Sequence, residues 1–211
     1  MGQLRSAKKE DLHNIAEFIT DRFWGLEQHV FLAEGLSNPK ELISRSTEAS
    51  LQLFVSKGDI YVYDDNGIKG VLVGIPAKKF STINMLLNSL SSYRLLNGIS
   101  KEDTKLLKEK SKLQSKIHDP KWYKKYSKNA YYINWIAVNA KCKGTGIFRK
   151  LISPIIDTCE KNHMDVVLET FTKSNVPIYE HFGFEKVETH TSEEIALSEY
   201  CMVNGMGNLN L

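Results

Sequence analysis

Gly144 and Gly146 stand in the stretch Lys141-Cys142-Lys143-Gly144-Thr145-Gly146, between an apolar run and an amphipathic one. Upstream, Tyr131 to Val138 is rich in β-branched and aromatic residues and reads as a strand. Downstream, Ile147, Leu151, Ile152, Ile155 and Cys159 recur at helical spacing. A glycine-bearing strand-to-helix turn exposes backbone N–H groups at a helix N-terminus, an arrangement suited to a phosphate or pyrophosphate. It suits a plain tight turn as well. Position 149 is Arg, so the Gly-x-Gly-x-x-Gly spacing of dinucleotide folds is missing.

A second constellation begins 29 residues beyond Gly146, at Asn175-Val176-Pro177-Ile178-Tyr179-Glu180-His181-Phe182-Gly183-Phe184. Tyr179 lies four residues before a glycine turn that leads straight into a strand. The three cysteines, Cys142, Cys159 and Cys201, are widely spaced and form neither a metal pattern nor a disulfide framework. No metal site and no nucleophile–His–acid series is expected.

The elements that must position these residues follow from periodicity. Gln3 to Ser6 reads as a strand, followed by a helix burying Leu12, Ile15, Ala16 and Ile19. A second helix starts at Asn38-Pro39 with Glu41 completing a capping box, and buries Leu42, Ile43, Leu53 and Phe54. Strands at 60–63 and 71–75 flank the hairpin turn Asp64-Asp65-Asn66-Gly67. Residues 80–128 read as polar helix with breaks near Asn97-Gly98 and Asp119-Pro120. The strand through Val138 and the amphipathic helix come next. A strand over 165–171, a short helix over 175–182, and strands over 184–190 and 200–203 complete the chain. This order implies a mixed sheet with helices on both faces, in one domain spanning 1–211 with a helical insertion at about 80–128.

Composition bounds the function. Hydrophobic content of 42% and charged content of 25% are those of an ordinary globular protein. No apolar run approaches the roughly 20 residues that span a bilayer, and no leader-like segment opens the chain, so the expected location is the cytoplasm. Met1-Gly2-Gln3-Leu4-Arg5-Ser6 fits a myristoylation pattern, but Leu4 reads as the start of a core strand. Residues 101–128 carry ten lysines against four acids. With Leu106, Leu107, Leu113 and Ile117 at helical spacing, the segment reads as a solvated helical face rather than a nucleic-acid surface. Neither nucleic acid nor membrane is expected as a partner, and the protein is expected as a monomer or homodimer.

Together, the two constellations resemble the GNAT superfamily of N-acetyltransferases. Its first motif, Gln/Arg-x-x-Gly-x-Gly/Ala, is matched by Lys141 to Gly146, with Lys141 in place of Gln or Arg. Leu168-Glu169 followed by Asn175-x-Pro177-x-Tyr179 and Gly183-Phe184 is similar to the small-molecule branch, as is the closing Tyr200-Cys201-Met202-Val203. The resemblance covers essentially the entire chain. It implies an α/β (α+β) fold with a mixed, largely antiparallel twisted sheet. It also implies acetyl-CoA, or another acyl-CoA, as co-substrate and a small-molecule amine as acceptor.

The resemblance assigns the pyrophosphate to Lys141, Cys142, Lys143, Gly144, Thr145 and Gly146, where missing Cβ atoms let oxygens approach N–H groups the helix does not use. Thr145 adds a hydroxyl, and Lys141 or Lys143 a point charge or mere surface charge. The pantetheine arm is expected along Ile136, Ala137 and Val138, with an N–H near Val138 stabilising the oxyanion. Asn175 either bonds the cofactor amides or caps the short helix. Tyr179 is the expected donor of a proton to the departing thiolate, its alternative being a core aromatic. For the general base, relatives carry a glutamate on the central strand where this chain offers Tyr132 and Asn134. Glu169 is the remaining carboxylate, either a base acting through water or a structural acceptor. By position, His29 and Trp24 fall near the acceptor pocket, with a surface or core role as the alternative. The competing readings are a peptide or protein N-acetyltransferase and a non-catalytic acyl-CoA-binding module.

Overall fold

The computed structural model describes residues 2–81, 84, 88, 95 and 97–205. Its frame is one seven-stranded sheet of spatial order β1-β2-β3-β4-β5-β7-β6. The strands are β1 Gln3–Ser6, β2 Asp59–Asp64, β3 Ile68–Pro76, β4 Ala130–Val138, β5 Asp165–Thr170, β6 Glu185–Ser192 and β7 Ile195–Asn204. Only β4 and β5 run parallel; every other neighbouring pair is antiparallel. The mixed, largely antiparallel sheet agrees with expectation.

The helices are α1 Leu12–Phe23, α2 Glu27–Ala33, α3 Pro39–Lys57, α4 Lys101–Gln114, α5 Ile147–Lys161 and α6 Val176–Glu180. On one face α1 and α3 bury Leu12, Ile15, Ile19, Leu51 and Phe54 against Val62, Val71, Val73 and Ile75. On the other, α5 buries Ile147, Leu151, Ile152 and Ile155 against Leu72, Ile133, Leu168 and Met202. Burying one such side chain contributes about 1.5–3 kcal/mol, so these two cores hold the sheet.

Three local expectations change. The helix after Asn38 begins at Pro39, yet Asn38 makes no side-chain cap bond; its amide contacts the Glu41 carboxylate instead. Helix α2, over Glu27–Ala33, is too short for its periodicity to be read from sequence. The final strand has ten residues where four were read, reaching back to Ile195.

The insertion is less detached than its charge suggests. Its stretch between 82 and 96 lies largely outside the described residues. Helix α4 is capped by Ser100, whose hydroxyl accepts from the Asp103 N–H. It docks on the loop and helix around α2: the Ser37 N–H donates to Asp103 at 3.0 Å, and Lys110 Nζ donates to the Phe31 carbonyl at 2.6 Å. Lys110 is buried, so this face is not wholly solvated. Beyond it, Trp122 is fully buried in the core beside Tyr123.

Candidate active site

The site originates in a strand separation. β4 pairs with β5 only at Ala130, Tyr131 and Tyr132, opposite Asp165, Val166 and Val167. On the other edge of β4 the register slips at the next level: Val73 faces Trp135 and Gly74 faces Ile133, leaving Asn134 as the extra residue of a β-bulge. A bulge bends its strand and increases the local twist, turning β4 from β5 at the point where their pairing stops. β5 stays paired to β7 as far as Thr170. The gap becomes a cavity of about 210 Å³, lined among others by Tyr132, Asn134, Ile136, Glu169, Asn175 and Tyr179. Residues expected at the site from three separate segments thus meet.

Tyr179 is buried, its ring packed against Phe148 and Phe184 at centroid distances of 6.0 and 5.8 Å. Its hydroxyl bonds no described residue, and Tyr179 lines the cavity. Burial first, then the Glu169 charge, push its pKa above that of an ordinary phenol. The group therefore holds its proton at neutral pH. The ring is thus a core aromatic, on a residue that also lines the cavity.

Asn175 does not cap α6 with its side chain. Its Nδ2 donates to the Thr170 hydroxyl at 3.2 Å, leaving Oδ1 without a described partner beside the cavity. That leaves an acceptor for an amide N–H.

The glycine turn lies one step past the end of β4. Gly144 and Gly146 both have φ of 79°, and a Cβ on either would meet nothing within 4 Å. The left-handed backbone favours glycine at both positions, and the open space beside them leaves the N–H groups of the turn accessible. The turn is closed by the Cys142 carbonyl, which accepts from the Thr145 N–H at 3.2 Å and its hydroxyl at 2.7 Å. The Thr145 proton is accordingly committed within the turn. The N–H groups of Gly144, Gly146, Ile147, Phe148 and Arg149 have no carbonyl partner among the described residues. Lys141 and Lys143 are exposed and pair with no described acid. A cluster of free N–H groups at the start of α5 fits an anionic diphosphate.

Between turn and cavity runs the outer half of β4. The Asn139 N–H donates to the Lys69 carbonyl at 2.8 Å, and antiparallel ladders alternate. Continued back from that bond, the ladder directs the polar backbone groups of Ala137 at β3 and those of Ile136 and Val138 at the gap. Arg22 Nε already donates to the Val138 carbonyl at 2.6 Å. Among the three residues expected to face the pantetheine, Ala137 has its backbone turned away.

Glu169 is tied down. Trp122 Nε1 donates to one oxygen at 3.2 Å and the Tyr132 hydroxyl donates to the other. Burial raises its pKa, while His118 pulls in the opposite direction. Of the two readings, this bonding favours the structural acceptor. Asn134 lines the cavity but, as an amide, takes no proton. His29 lines it from α2, stacked on Phe23 at 5.7 Å and pushed by burial to a pKa of about 4, whereas Trp24 is exposed and outside the lining.

Residues missed in the sequence complete the site. His118 lines the cavity, and its Nδ1 lies 2.6 Å from a carboxylate oxygen of Glu199, which is fully buried on β7. The other Glu199 oxygen meets His190 Nδ1 at 2.9 Å, and His190 Nε2 meets Glu188 at 2.6 Å. The alternation of β6 and β7 was the available signal, with Glu188, His190, Glu199 and Cys201 sharing one face. His118/Glu169/Glu199 and His190/Glu199/Cys201 each bring potential metal donors within 4.8 Å. Two donors on one tetrahedral ion with bonds near 2.1 Å stand about 3.4 Å apart. The 2.6 and 2.9 Å separations instead describe hydrogen bonds.

Residues 122–197 match the family described as Acetyltransferase (GNAT) domain. An uncharacterised N-acetyltransferase of Schizosaccharomyces pombe is 41% identical over 56 residues, which is 26% of this chain and 23% of the relative's own length. The matched stretch thus spans about a quarter of that protein. A structure from Corynebacterium glutamicum, described as histone acetyltransferase HPA2 and related acetyltransferase, superposes with a TM-score of 0.66 at 14% identity. It covers 100% of this chain and 99% of its own. An N-acetyltransferase from Staphylococcus aureus gives 0.60 at 18% identity, over 95% and 99%. Among the described residues no helix is long and apolar enough to cross a membrane.

Proposed function

We propose that this chain, which has the GNAT fold and carries a GNAT acetyltransferase domain, is an acyl-CoA-dependent N-acyltransferase that transfers acetyl to the primary amine of a small molecule. The observation that carries the reading is continuity. The N–H-rich turn follows β4 directly in the chain, and the edge of β4 left unpaired beyond Tyr132 borders the same cavity as Tyr179 and Asn175.

Each residue has a role in direct transfer. The turn at Gly144 and Gly146, with Lys141 and Lys143 beside it, holds the diphosphate. Asn175 Oδ1 accepts from a pantetheine amide, and the outward backbone of Ile136 and Val138 aligns the arm. An N–H near Val138 stabilises the oxyanion as the amine adds to the thioester carbon. Tyr179 then gives its proton to the leaving thiolate. No covalent enzyme intermediate is required.

Two features support a small acceptor. The described residues enclose about 210 Å³, below the usual 300–1,000 Å³ range of ligand pockets. The half-buried carboxylate of Glu169 and the buried one of Glu199 favour an ammonium over an acidic group. A peptide or protein acceptor is the second reading, with the lysine-rich 101–128 segment contacting an acidic partner.

A thiol-release screen with acetyl-CoA against amines, amino acids, aminoglycosides and peptides separates these readings. Release with small amines is expected. Release with peptides alone establishes the second reading. Binding of acetyl-CoA with no release across the panel indicates a non-catalytic acyl-CoA-binding module.

A further inference from the structure

The proposed reaction needs a group that removes a proton from the acceptor, because an alkylammonium with a pKa near 10 has no lone pair to attack with at neutral pH. β4 offers none: Tyr132 donates its proton to Glu169, and Asn134 is not a base. Glu169 has both oxygens occupied by Tyr132 and Trp122.

His118 is placed for that task by residues far from it in sequence. It follows α4, and it lines the same cavity as Tyr179. Its Nδ1 is bonded to Glu199 at 2.6 Å, while no described residue bonds its Nε2. A carboxylate on Nδ1 fixes the tautomer with its proton there and leaves Nε2 as the acceptor. Glu199 is itself held from the far side by His190 Nδ1 at 2.9 Å, and His190 by Glu188 at 2.6 Å. Glu188 also accepts from Lys125 and the Tyr126 hydroxyl, each at 2.8 Å, and the Lys125 side chain is 62% exposed.

We infer that His118 is the general base of this site, with Glu199 as its positioning residue and the His190–Glu188 pair linking that carboxylate to solvent. This inference rests on the N-acyltransferase reading. In the reaction an N–H bond of the acceptor ammonium breaks and an N–H bond forms at His118 Nε2. The freed lone pair bonds the thioester carbon, the C–S bond breaks, and the thiolate takes the Tyr179 proton. The Tyr179 phenolate recovers a proton from the acylated nitrogen. One proton in all remains on His118 and leaves to water.

The groups facing His118 are Glu199 from β7, Glu169 from β5 at 3.9 Å, and Asp119 beside it in its own loop. Tyr132 from β4 is engaged with Glu169, and His29 from α2 is neutral. Burial alone lowers the His118 pKa, but the Glu199 bond and the two nearby carboxylates outweigh it, so the ring titrates above an ordinary histidine. Activity limited by this base rises with pH through that raised value.

The test uses the full chain, acetyl-CoA and the amine of the screen that releases thiol fastest. His118→Gln is expected to lower kcat/KM by about 100-fold or more and to remove the acidic limb of the pH profile, with acetyl-CoA binding preserved. Glu199→Gln, isosteric and still able to accept a hydrogen bond, is expected to move that limb to lower pH. Wild-type kcat/KM and an unchanged acidic limb in His118→Gln overturn the assignment. If no amine releases thiol, the N-acyltransferase reading fails and with it a base for that reaction. NMR titration of the histidine rings then decides the pairing separately. A His118 ring titrating above an ordinary histidine and falling in Glu199→Gln supports it, and one unmoved by that substitution overturns it.

Discussion

Arg22 Nε donates to the Val138 carbonyl at 2.6 Å across 116 residues of sequence, tying the last turn of α1 to the open end of β4. This bond holds the free edge of β4 where the strand leaves its partner and turns toward the glycines. Hydrogen bonds from charged groups contribute about 1.5–3 kcal/mol, enough to fix a strand end. Arg22→Ala is expected to lower stability by about that amount in urea unfolding. It is also expected to raise KM for acetyl-CoA several-fold while changing kcat less. An unchanged KM would separate this bond from the cofactor path.

Tyr179→Phe retains the ring that packs on Phe148 and Phe184 and removes only the hydroxyl. Thiol release is expected to fall about 100-fold in kcat, with acetyl-CoA affinity nearly unchanged. Because burial and Glu169 hold the phenol above its ordinary value, no basic limb from Tyr179 is expected below pH about 10. Full activity of the variant at every pH would remove Tyr179 from the chemistry.

At Gly146 the constraint is conformational, with φ of 79° and open space where a Cβ would stand. The left-handed conformation costs a residue with a Cβ roughly 1–2 kcal/mol, less for Asn. Calorimetric titration with CoA should show Gly146→Val weakening binding by about 10-fold and Gly146→Asn by less. Equal losses would point to the side chain blocking the ligand instead.

His190 connects the buried Glu199 to Glu188, and its pKa is raised: burial lowers it, but its bonds to the two carboxylates prevail. A folded-state value above the unfolded one means stability present in full below about pH 6.5 and lost as pH rises through the raised value. Thermal unfolding between pH 6 and 9 should show that decline. His190→Gln should flatten it in part, with the remainder due to His118, which shifts the same way. A slope identical in wild type and variant would refute the pairing.

Much of the frame was legible in the sequence because its signals are local. The β-branched and aromatic run of β4, the Asn66-Gly67 hairpin and the apolar stripe of α5 each depend on residues a few positions apart. Tyr179, Asn175 and the glycine turn were legible for the same reason, as each sits at a fixed offset from an element boundary. The bulge at Asn134 was not, since an extra residue is defined only against the partner strand. It shifts the alternation of β4: Tyr131 and Ile133 join one core and Trp135 the other, so inward positions counted from one end fail at the other.

The sequence by itself determined most of the elements, the strand-to-helix turn and the tyrosine helix, since hydrophobic period and backbone preference act within a few residues. Tertiary structure alone decided where β4 and β5 part and which groups converge there. His118, Glu169, Glu199 and His190 come from a loop and three strands, and only sheet order brings each within 4 Å of another. A carboxylate becomes a histidine's partner through proximity in space and exclusion of water, and neither is written in its own neighbourhood of the chain.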